Sequence, residues 1–122
     1  MMGSFYPIVS DSVQSRWRVA RIVGNGTGTP TIALGAGFTM SRVSAGDYKM
    51  TFTENPGVYC GAGMDLQAAT PSGLAGFTVV VKDYDATNFV VEFVIYNTSQ
   101  AATDLTSSQS VNVLALFKQS NL

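Results

Sequence analysis

The chain is predicted to be all-β: an antiparallel β-sandwich or jelly-roll-like barrel of seven to eight strands, preceded by an extended N-terminal arm. Three observations predict it. Apolar residues recur with period two, most plainly where Tyr48, Met50 and Phe52 alternate with Lys49, Thr51 and Thr53. Segments rich in Val, Ile, Phe, Tyr and Thr are punctuated at short intervals by Gly, Pro, Asn and Asp. No stretch of ten or more residues carries the 3.6-residue apolar spacing of an amphipathic helix.

Taken in order, residues 1–15 form the arm and 16–122 the single domain. The arm holds Phe5, Tyr6, Ile8 and Val9 in an otherwise polar setting with Pro7 and no strand alternation, so it reads as a segment that docks on something. Trp17 to Val23 is a β-rich strand of mixed faces, and Thr29 to Leu34 is a candidate eighth strand. Phe38 to Val43 and Asp47 to Thr53 flank the hairpin turn Ser44-Ala45-Gly46-Asp47. Val58 to Ala68, Phe77 to Tyr84, Asn88 to Thr98 and Val111 to Lys118 complete the set. The polar segment 99–110 has room for one short turn of helix.

Two strands are apolar on both faces. Val90, Val94 and Tyr96 lie with Glu92 opposite the Phe89, Val91, Phe93, Ile95 face, and Leu114 and Leu116 oppose Val111, Val113, Ala115 and Phe117. A sandwich buries one face of each sheet, so the second faces predict a subunit interface formed by Val90, Val94, Tyr96, Leu114 and Leu116.

Composition narrows the function. Charged residues are 12% of the 122, about half the usual ~25%, and the net charge is −1. Such a chain has no electrostatic footprint for nucleic acid, and with no His it lacks the commonest general base and metal ligand. The expectation is a protein that is not an enzyme, with no cofactor, no metal and no nucleic-acid or membrane partner. Met1 to Pro7 lacks the pattern of a signal peptide, which with a single cysteine points to assembly in the cytoplasm.

The candidate sites have plain readings. Gly24 to Pro30 is glycine-rich, but Thr29 breaks the G-x-G-x-x-G spacing and no P-loop Lys follows; a turn with positive φ at Asn25-Gly26 explains it. Cys60 has no His to activate it and reads as a small core residue. Asp83 and Asp85 flank Tyr84 without the spacing of a calcium loop, and read as a solvated turn. Arg16, Arg18 and Arg21 cluster just after the arm and are candidates for facing an acidic partner surface.

Phe38 to Phe52, a strand, an S-A-G turn and a G-x-Y-x-x-x-F strand, together with the closing Val111 to Lys118, resembles the trimeric capsid decoration (cement) proteins of tailed bacteriophages, a strand-and-turn pattern shared with C1q-like and tumour-necrosis-factor-like trimers. The likeness spans about residues 17–118. It implies a virion protein assembled in the host cytoplasm, a homotrimer that binds the major capsid protein across subunit joints through the arm residues Phe5, Tyr6, Ile8 and Val9. The alternative it leaves is a receptor- or carbohydrate-binding knob of a head or tail fibre.

Overall fold

The computed structural model describes residues 15–119, so the arm residues Phe5, Tyr6, Ile8 and Val9 lie outside the described residues. Eight strands run β1 Ser15–Val23, β2 Thr31–Leu34, β3 Phe38–Ser44, β4 Asp47–Phe52, β5 Val58–Ala68, β6 Thr78–Asp85, β7 Val90–Tyr96 and β8 Gln109–Lys118. They form two four-stranded sheets, β2-β1-β8-β5 and β3-β4-β7-β6, in which every pairing is antiparallel. The fold is an all-β sandwich. β1 begins at Ser15, so the first strand takes up the last residue of the segment read as arm.

Local chemistry explains the turns. Between β3 and β4, Gly46 adopts φ 69°, a left-handed geometry that glycine takes without a Cβ penalty. A side chain there would also meet the Thr103 backbone at 2.6 Å. Between β6 and β7, the Asp85 carboxylate accepts hydrogen bonds from the Thr87 and Asn88 amides and the Asn88 side chain, as a turn-forming Asp does. Asp85, the last residue of β6, thus anchors the expected turn, while Asp83 lies two residues inside the strand. The sole 3-10 turn among the described residues, Pro71–Leu74, falls between β5 and β6. The 99–110 segment, which had room for a helical turn, contains none; its backbone is tied instead to Ile95 of β7, to the Tyr48 hydroxyl of β4 and to Gly24 and Gly26 beyond β1.

The core follows from the period-two faces. Ile22, Val111, Val113, Ala115 and Phe117 of the first sheet meet Tyr48, Met50, Phe52, Val91, Phe93 and Ile95 of the second, all nearly inaccessible to solvent. Phe117 is its aromatic centre, edge-on to Phe52, Tyr59 and Tyr84 at 5.3, 5.6 and 5.6 Å between centroids. Phe89 packs against this core with φ 61°, a conformation a bulky side chain holds only when its surroundings enforce it; its carbonyl accepts the Phe52 amide.

Candidate interaction surfaces

The outward face of the first sheet is apolar. Cross-strand register aligns Trp17 with Leu116 and Gly61, and Val19 with Leu114 and Gly63, in two adjacent rows across β1, β8 and β5. Trp17, Val19 and Leu114 are 60%, 47% and 48% exposed, and Leu116 is half-buried. Gly61 and Gly63 present no side chain beside them, which leaves the leucines standing proud on one flank. A polar row borders the patch: Arg21 Nε donates to Asn112 Oδ1 at 3.0 Å, and Asn112 Nδ2 donates to Asp65 and Gln67 at 2.8 and 3.0 Å. Leu34, opposite Arg21 on β2, is 55% exposed at its edge.

The outward face of the second sheet is different. Val90 and Val94 point outward from β7, yet both are buried within this chain. Val94 is flanked by Asp47 on β4 and Val80 on β6, and Lys82 reaches across to Asp47 at 3.3 Å and Glu92 at 3.2 Å. Those bonds, with Glu92 first, raise the Lys82 pKa and hold its side chain over the sheet. Tyr96 is half-buried. The residues read together as one interface therefore divide between the two sheets: Leu114 and Leu116 on the first, Val90, Val94 and Tyr96 on the second, where the valines already have cover.

The three arginines also part company. Arg21 faces outward, whereas Arg18 lies on the inward side of β1 with its guanidinium 5.5 Å from the Phe52 ring centroid, a cation–π contact that caps the core. Arg16 is exposed beside the same end of the sandwich. Cys60 is exposed, not a core residue: a bulge between Tyr59 and Gly61 inserts it as an extra residue opposite β8. Among the described residues no group of three or more His, Cys, Asp or Glu is placed to hold a metal ion.

One polar constellation had no counterpart in the sequence reading. Asp104 accepts both Nε and Nη2 of Arg42 at 2.9 Å, the Gly46 amide at 2.9 Å and the Tyr48 hydroxyl at 3.4 Å, and that hydroxyl accepts the Leu105 amide at 3.0 Å. The Arg42 bonds hold the Asp104 carboxyl below the usual range, and burial raises the Tyr48 phenol. The clasp spans 62 residues, so no local spacing announces it; Asp104 in a loop and Arg42 on a strand carry no signal until the fold juxtaposes them. It pins the 97–108 loop against the β3–β4 hairpin and leaves its groups committed to structure.

Against this geometry, the comparisons with known proteins add no relative: no family model, no curated protein and no solved structure matches the chain.

Proposed function

We propose that this protein is a non-enzymatic assembly module, a homotrimeric capsid decoration protein that binds across subunits of a bacteriophage shell and stabilises it. The observation that carries the reading is the outward patch of Trp17, Val19 and Leu114, contiguous apolar surface on one sheet in a chain with few charges. Surfaces poor in Lys and Glu are inexpensive to desolvate at protein contacts, and aromatic residues are enriched there. The contact between subunits is assigned to this face, with Leu114 and Leu116 at its centre, instead of to Val90 and Val94. Residues 1–14, with Phe5, Tyr6, Ile8 and Val9, are the proposed anchor on the major capsid protein. Each such side chain contributes on the order of 1.5 to 3 kcal/mol when fully buried.

The test is to add full-length and residue 1–14-deleted protein to undecorated heads and measure occupancy. Full-length protein is expected to saturate a fixed set of symmetric positions. Deletion is expected to abolish binding while the oligomer and its melting temperature persist. Absence of binding by the full-length protein counts against decoration, and binding to glycans instead would favour the fibre-knob alternative.

A further inference from the structure

The outward face of the first sheet is complementary to itself in shape. Three rows cross β1, β8 and β5 at successive heights: Trp17-Leu116-Gly61, Val19-Leu114-Gly63 and Arg21-Asn112-Asp65. Residues paired across strands stand side by side on one face, so the β1 half is a ridge of exposed Trp17 and Val19, and the β5 half is a trough at the same two heights. Gly61 has a reason within the chain, a φ of 142° that favours glycine over any L side chain. Gly63 has none: its backbone is not left-handed, and a Cβ there would meet nothing within 4 Å. Glycine weakens a strand interior and often marks a place that another group approaches closely. Nothing in this chain approaches Gly63 from the outward side.

The third row is complementary in charge. Arg21 holds the positive charge on β1 and Asp65 the negative charge on β5, and both are exposed. They lie two strand spacings apart, about 10 Å. Asn112 stands between them, its Oδ1 accepting from Arg21 Nε and its Nδ2 donating to Asp65 Oδ1. Among the described residues neither charge belongs to an ion pair.

We infer that copies of this chain assemble about an axis parallel to β8, the β1 ridge of each copy seated in the β5 trough of the next and Arg21 paired with the next copy's Asp65. The inference rests on the assembly reading above and gives that contact its geometry. Rotation about an axis along the strands keeps every row at its own height, whether the ring closes with two copies or three, and sets the β1 half of one copy against the β5 half of its neighbour. Trp17 then covers the neighbour's Gly61, Val19 covers Gly63, and Leu114 and Leu116 meet their own counterparts nearest the axis. Each Arg21 faces a carboxylate at the same height. An axis across the strands does the reverse: it sets ridge against ridge and the polar row of one copy against an apolar row of the other, leaving Asp65 without a cation. Matching of large with small and of positive with negative under one rotation is what selects a second copy as the occupant of this face.

The experiment follows the mass of the full chain over a concentration series by gel filtration with light scattering, with circular dichroism melts to show that each variant folds. Gly63→Ile adds apolar surface and a good strand former where the chain itself leaves open space, so a face that merely sticks to apolar surface would associate more tightly. It is expected instead to give a folded monomer, because the new side chain occupies the place of the neighbour's Val19. Arg21→Asp and Asp65→Arg are each expected to weaken association about tenfold or more by setting like charges together, and the double variant to restore it. The charge rescue is read independently of the Gly63 result. Unchanged or tighter association of Gly63→Ile, or a double variant no better associated than the single ones, overturns the inference. The parent's own mass separates the two claims: a monomeric parent overturns the assembly reading and this geometry with it, whereas a parent trimer indifferent to these substitutions keeps the assembly and overturns the geometry alone.

Discussion

Replacing Asp104 with Ala removes the acceptor shared by Arg42, Gly46 and Tyr48. The side chain is 16% exposed, so its bonds are only partly screened by water. Losing a charge-assisted pair and leaving the buried Gly46 amide without an acceptor costs about 3 kcal/mol. For a domain of this size that lowers the melting temperature by about 12 °C. Asp104→Asn gives the pH signature. Because the folded carboxyl titrates below its unfolded value, the unfolded chain takes up the proton first as pH falls. The stabilisation is therefore complete above the unfolded value of about 3.9 and is lost as pH falls through the lower folded value. Thermal melts of both proteins from pH 7 downward should show a gap that is constant above about pH 5 and narrows in acid. A variant melting within about 2 °C of the parent at pH 7, or a gap that widens in acid, would refute the clasp as a stabilising element.

Three further outcomes follow from placement. Leu114→Asp is expected to give a folded monomer because it charges the exposed patch, whereas Val94→Asp buries a charge beside Asp47 and is expected to lower the melting temperature; gel filtration with circular dichroism separates the two. Phe117→Ala removes the ring at the centre of the aromatic cluster and is expected to cost about 3 to 5 kcal/mol by chemical denaturation. Cys60 is expected to react with a maleimide in the native protein as fast as in the unfolded one, and strong native protection in the unliganded protein would contradict its place in the bulge.

Strand positions were legible because period two and turn chemistry are local. Val58 to Ala68 and the alternation of Tyr48, Met50 and Phe52 appear in the structure as read, the Ser44 to Asp47 turn joins β3 to β4, and Gly26 has the positive φ its turn was read to need. What failed is non-local. Cys60 was misassigned to the core because one inserted residue shifts facing along a strand, and no composition rule marks that bulge. The second face of β7 looked like an interface because its valines are apolar, yet its cover comes from neighbouring strands, with Lys82 reaching in from ten residues away in the chain. The arginines of β1 seemed one patch by spacing, but alternation sends Arg18 inward to Phe52 and Arg21 outward to Asn112. The apolar face of β8 was legible in part: Leu114 and Leu116 do point outward, while Trp17 and Val19 joined them only through the register with β1.

In the proposed assembly, copies of this chain cover one another's outward first-sheet face. Burying the exposed halves of Trp17, Val19 and Leu114 contributes about 1 kcal/mol each, before the cost of association. The most direct measurement is the mass in solution at micromolar concentration by light scattering. Three copies of the 12.9 kDa chain are expected, reduced to one by Leu114→Asp. A parent protein that is monomeric at that concentration, or a trimer that Leu114→Asp leaves intact, would contradict it.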